Sequence, residues 1–137
     1  MTAIDYSVLG KAVLRLQEGL DALAREPQNT LYRDGVIQRF EFTYGLCATL
    51  LKRYLEQNLA VAPEAEAGFP SLIRSAGELG LLRSGWDVWA EFRRARNLTS
   101  HVYNEDVARQ VVEQIPAFAK EAALLSAALQ EGSCHGK

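Results

Sequence analysis

Apolar residues return every three or four positions along nearly the whole chain, and no stretch keeps the period of two that a half-buried strand needs. Val8, Ala12, Leu16, Leu20 and Leu23 form one stripe. It predicts a first helix from about Asp5, a suitable N-cap, to about Arg25, with Pro27 and Asn29 breaking it. Ile37, Phe40, Tyr44, Cys47, Leu51 and Leu55 form a longer stripe, predicting a second helix over about Tyr32 to Asn58. Pro63, Gly68 and Pro70 mark 60–70 as a loop, and Ser71 is placed to cap a short third helix ending near Gly80. Gly80 and Gly85 bracket a turn before a fourth helix from Trp86 to about His101. Asn104 is a good N-cap for a last helix reaching about Gln130. Its stripe is Val107, Val111, Ile115, Phe118, Ala122, Leu125 and Leu129, with Pro116 placed to kink the axis. The expected fold class is all-α, an up-down bundle of four main helices with an additional short one.

A length of 137 residues suits one domain with one core. Residues 1–131 are expected to form it, with 132–137 as a disordered tail. Hydrophobic residues at 48% and charged residues at 23% are ordinary for a globular protein. No apolar run approaches the roughly 20 residues that span a bilayer, so no membrane partner is expected. Asp5 stands where a secretory signal would carry Lys or Arg, which points to the cytoplasm. Cys47 and Cys134 are far apart and read as free thiols in a reducing compartment. A net charge of −2 argues against a protein that coats nucleic acid. It leaves room for a local phosphate site, because Arg93, Arg94 and Arg96 cluster in the fourth helix.

The densest candidate chemistry is Arg96-Asn97-Leu98-Thr99-Ser100-His101-Val102-Tyr103. A permanent cation beside an imidazole suits work on a phosphodiester. His101 would move protons at a ribose hydroxyl or leaving oxygen, Arg96 would stabilise phosphoryl charge, and Asn97 could orient His101. The scheme requires no metal and no cofactor. On an ideal helix Arg96, Ser100 and Tyr103 share a face, while His101 projects about 140° away from Arg96. Either the helix distorts around Leu98 to Ser100, or two chains bring their motifs together across a twofold axis. The bland alternative is a polar helix end, since Arg-x4-His alone is a weak pattern. Asp34, Gln38 and Glu41 form a polar stripe that lines a cleft or dimer seam, or is simply a solvated flank. Trp86 and Trp89 fit core packing better than base stacking, and Cys134 with His135 is too sparse for a metal site.

Two segments together carry a resemblance: Arg33-Asp34-Gly35-Val36-Ile37-Gln38-Arg39-Phe40-Glu41-Phe42-Thr43-Tyr44, and Arg96 through Glu105. In this order they resemble the nucleotidyltransferase substrate-binding protein family of the HEPN superfamily, whose members include the HepT-like toxins. The resemblance implies a homodimeric four-helix bundle with the Arg-x4-His motifs facing each other. It implies metal-independent RNA cleavage, with Arg96 and His101 catalytic, Asn97 assisting, and transfer RNA one candidate substrate. It also implies a partner, a minimal nucleotidyltransferase of the MntA type, that silences the toxin by placing AMP on Tyr103. Asp34, Gln38, Glu41 and Ser100 would line the cleft or seam. Two other readings share the fold: a non-catalytic substrate-binding subunit of a two-component nucleotidyltransferase, and a helical dimer without activity. The chain departs from the family pattern after Tyr44. Gly45-Leu46-Cys47-Ala48-Thr49 stands where Glu-Leu-Ala-Trp-Lys is usual.

Overall fold

The computed structural model describes residues 4–58 and 68–135. Five α-helices run through them: α1 (Ser7–Arg25), α2 (Thr30–Asn58), α3 (Gly68–Glu78), α4 (Trp86–Leu98) and α5 (Glu105–His135). A 3₁₀ turn, Thr99–His101, joins α4 to α5, and no strand occurs among the described residues. The result is the up-down helical bundle with one short extra helix that the periodicity predicts.

Several boundaries move, each for a local reason. Asp5 does act at the start of α1, where its carboxylate accepts from the Ser7 backbone N–H at 3.0 Å. The Ser7 hydroxyl donates to the same oxygen, and this bond together with the backbone one holds the Asp5 carboxyl below the usual range. The helix α3 begins at Gly68, so Ser71 lies inside it instead of capping it. Pro70 is tolerated there because a first-turn residue has no helical bond to donate. The rest of the expected 60–70 loop falls outside the described residues. The last helix passes Pro116 without interruption and continues beyond Gln130 to His135, into the stretch expected as a tail. Gly132 lies within this helix, and a side chain there would collide with the Tyr54 hydroxyl. Close packing of α5 on α2 accounts for that glycine. Residues 136–137 lie outside the described residues, as do the side chains of Cys134 and His135.

The core is centred on α5, which packs against α1, α2 and α4. Phe118 is fully buried at its middle and touches four other rings. Phe40 lies at 5.0 Å, Phe92 at 5.4 Å, and Trp89 and Tyr44 at 6.1 Å. The Phe40, Phe92 and Trp89 rings meet it edge to face, the arrangement favoured by aromatic quadrupoles. Trp89 is therefore a packing residue, and its burial removes it as a base-stacking candidate. Trp89 and Phe92 fix α4 on the core and so place the motif at the end of that helix. Cys47 is also buried, and burial pushes its thiol up, which makes it a poor nucleophile.

Candidate functional site

Arg96 sits in the last turn of α4, half exposed. Its guanidinium donates from Nη1 to Thr99 Oγ1 at 3.0 Å and lies 3.4 Å from Glu41 Oε2 on α2. The Thr99 hydroxyl stands 2.8 Å from the same Glu41 oxygen and 2.7 Å from the Arg96 carbonyl, and its single proton serves one of these acceptors. Glu41, Thr99 and Arg96 form a closed triangle linking α2 to the α4 terminus. Thr99 is buried, so the triangle works where solvent competes less than at an open surface. Beneath it, burial pushes the Tyr44 phenol up to about 12, while Arg93 and Arg96 act in the opposite sense. That phenol stays protonated and is not a proton shuttle near neutral pH.

The chain tightens immediately after this anchor. Thr99–His101 form a 3₁₀ turn, so the distortion anticipated around Leu98 to Ser100 is present. Its sense is informative. A 3₁₀ turn advances about 120° per residue, against about 100° for an α-helix, so it carries His101 further round rather than back toward Arg96. His101 is exposed, and its ring lies 6.2 Å from that of Tyr103, edge to face. Tyr103 is 83% exposed, which leaves its hydroxyl open to an incoming reagent. The Asn97 side chain is exposed, and its backbone carbonyl accepts a long 3.5 Å bond from Ser100 Oγ. Ser100 is exposed as well.

Asn104 then starts α5, as its identity predicts. Its side-chain oxygen accepts from the backbone N–H of Asp106 at 2.9 Å and of Val107 at 3.2 Å. This cap fixes the chain just beyond Tyr103. Asn104→Ala should lower stability by about 1 kcal/mol, the usual worth of such a cap. Urea unfolding would show it as a lower midpoint with unchanged slope, whereas an unshifted midpoint would mean that the cap is idle.

The polar stripe on α2 divides. Glu41 joins Arg96 and Thr99, whereas Asp34 pairs with Arg33 at 3.1 Å and Gln38 is exposed. Arg33 reaches in turn to Glu105 at 2.9 Å, tying the start of α2 to the start of α5. Thr99 and the Arg33–Glu105 link were not singled out from the sequence. The only signal for Thr99 was a hydroxyl three positions after an arginine near a helix end. Among the described residues, no group of three His, Cys, Asp or Glu side chains is placed to hold a metal ion. No helix among them is long and apolar enough to cross a membrane.

Residues 4–131 match the family described as "Nucleotidyltransferase substrate binding protein like", a span that contains both motif segments. The chain belongs to this family. It is 36% identical over 105 residues to a Haemophilus influenzae protein named "Probable ribonuclease HepT", over 76% of this chain and 70% of that one. Its fold is similar to a Haemophilus influenzae structure described as the fold of a substrate binding domain of a nucleotidyltransferase. There the TM-score is 0.83 at 30% identity, covering 92% of this chain and 99% of the other. A structure from Thermus thermophilus is similar at a TM-score of 0.71 and 30% identity, over 88% and 98% of the two chains. The chain is thus similar in sequence to a relative named as a ribonuclease and in fold to one described as a substrate binding domain.

Proposed function

We propose that this chain is a HEPN-type toxin, a metal-independent RNA endonuclease silenced by AMP transfer to Tyr103 from a partner minimal nucleotidyltransferase. The observation that carries the reading is a guanidinium held in a fixed place, five positions before an exposed imidazole that stands beside an exposed phenol. Arg96 would stabilise charge on the phosphoryl oxygens, and His101 would act as general acid or base. Asn97 would assist once RNA is bound. Arg96 and His101 point to different sides of one segment, so two copies of the chain supply the complete site, as a twofold dimer would. The outer face of α2, beside Glu41, supports such a seam. Phe42 and Leu31 are exposed there, and Gly35 and Gly45 have open space beside them. The dimer works in the cytoplasm on RNA, with transfer RNA one candidate. An AMP on Tyr103 would add bulk and negative charge beside His101, where an RNA phosphate must dock.

The test is incubation with the partner enzyme and ATP, followed by intact mass and an RNA cleavage assay in the presence of a chelator. Wild type should gain one or more AMP units and lose cleavage. Tyr103→Phe should cleave RNA like wild type, gain no AMP and escape silencing. The same mass increase on Tyr103→Phe would refute the assignment of the acceptor.

A second reading has its own support. Glu41 and Thr99 already occupy the Arg96 guanidinium, as a structural tie would, which fits a non-catalytic substrate-binding subunit of a two-component nucleotidyltransferase. In that case the wild-type protein cleaves no RNA, and the partner transfers nucleotide to a third molecule only when this chain is added.

A further inference from the structure

A concave site lies between the α1–α2 connection and the first turns of α5. It is a cleft of about 350 Å³, within the range of about 300–1,000 Å³ usual for small-molecule sites. Leu23, Pro27 and Val112 give it an apolar wall, and Arg33 and Arg109 bring two guanidinium groups to it. Arg33 is mostly buried, with Nε and Nη2 committed to Asp34 at 3.1 Å. Its remaining edge, Nη1, holds the Glu105 carboxylate at 2.9 Å. That carboxylate is 70% exposed and belongs to the other helix. Asp34 holds Arg33 in place without Glu105, and the exposed Glu105 carboxylate can swing into solvent, so an anionic ligand can displace it and keep the geometry its oxygen now occupies. Among the described residues Arg109 pairs along its own helix, with the exposed Asp106, and a turn of its side chain would bring its guanidinium further into the cleft.

Glu113 brings a carboxylate to the other end of the cleft, eight residues beyond Glu105 on the same edge of α5 and about 12 Å further along it in rise. Two guanidinium groups against two carboxylates do not suit a polyanion. They suit a ligand with one phosphate at the Arg33–Arg109 end and a hydrogen-bond donor at the Glu113 end. We infer that this cleft binds a nucleoside monophosphate, its phosphate on Arg33 and Arg109, its base against Leu23, Pro27 and Val112, and an exocyclic amine of the base donating to Glu113. The nucleotide has two sources. It is free in solution, or it is carried by Tyr103, which only Asn104 separates from Glu105 in sequence. The carried form rests on the AMP transfer proposed above.

Both arms of the experiment use the full chain and follow the backbone amides of Asn29, Arg33 and Arg109 by NMR. In the first, unmodified protein is titrated with 5′-AMP and then with 5′-UMP, which lacks the amine. Saturable shifts at these amides are expected, weaker for UMP, with about tenfold weaker AMP binding in Arg109→Ala from loss of a charge-assisted bond. Arg33→Lys, which keeps the charge and loses the fork, should also weaken binding. In the second arm, protein modified by the partner is compared with unmodified protein at no added nucleotide. Shifts at the same amides there, with none from free AMP, identify the carried nucleotide as the occupant. No shift at these amides in either arm overturns the inference, as does AMP affinity unchanged in both variants. If the partner adds nothing to Tyr103, the AMP-transfer reading fails alone and the titration still decides the cleft.

Discussion

His101→Ala should abolish RNA cleavage by the purified protein, lowering the rate by about 10²- to 10⁴-fold, the usual contribution of a positioned general acid or base. The fold should be indifferent to the change. His101 is exposed at the end of the 3₁₀ turn, and the ring contact it makes is with the equally exposed Tyr103. Surface substitutions of this kind usually fall within about 0.5 kcal/mol, so circular dichroism and the unfolding midpoint should match wild type. In cells, expression without the partner enzyme should arrest growth, and the His101→Ala protein should not. The pairing of a large loss in rate with no loss in stability separates a chemical role from a structural one. Cleavage by His101→Ala at the wild-type rate would remove the nuclease reading, because no other exposed imidazole lies in the motif.

The proposed dimer adds a sharper form of this test. If Arg96 of one copy and His101 of the other complete a site, mixing Arg96→Ala with His101→Ala protein should restore part of the activity through heterodimers. A site contained in one chain would gain nothing from mixing.

The helical bundle was legible because stripes at spacings of three and four leave little choice of period. The Asn104 cap was legible for a similarly local reason, since one side chain bonds two amides within three residues. The tie between Glu41 and Arg96 was not legible. It depends on how α2 packs beside α4, and in sequence Glu41 is one of three equivalent polar positions. Packing distinguishes it from Asp34 and Gln38, and packing reveals Thr99 as the hydroxyl that joins the two helices. The end of α5 was not legible either: the helix runs past Gln130 to His135, and the smallness of Gly132 answers to Tyr54 on another helix. The chemistry-bearing residues were therefore visible one by one, and their partners came only with tertiary structure.

Phe118→Ala should be the most destabilising single change, costing about 3–5 kcal/mol as the loss of a fully buried aromatic side chain. Its ring touches Phe40 and Tyr44 of α2 and Trp89 and Phe92 of α4, so one deletion removes contacts to both helices that meet in the Arg96 triangle. Against a total stability of about 5–15 kcal/mol for an ordinary domain, the variant should be marginal, with a midpoint well below wild type in urea. Loss of near-ultraviolet dichroism should accompany the shift, because the edge-to-face ring cluster is what fixes those aromatics. Phe118→Leu keeps most of the volume and should recover much of the stability without the ring geometry. A loosened α4 also frees the end that presents Arg96. Cleavage by Phe118→Leu should therefore fall even under conditions where the protein remains folded, while an unfolding midpoint for Phe118→Ala close to wild type would show that the core is centred elsewhere.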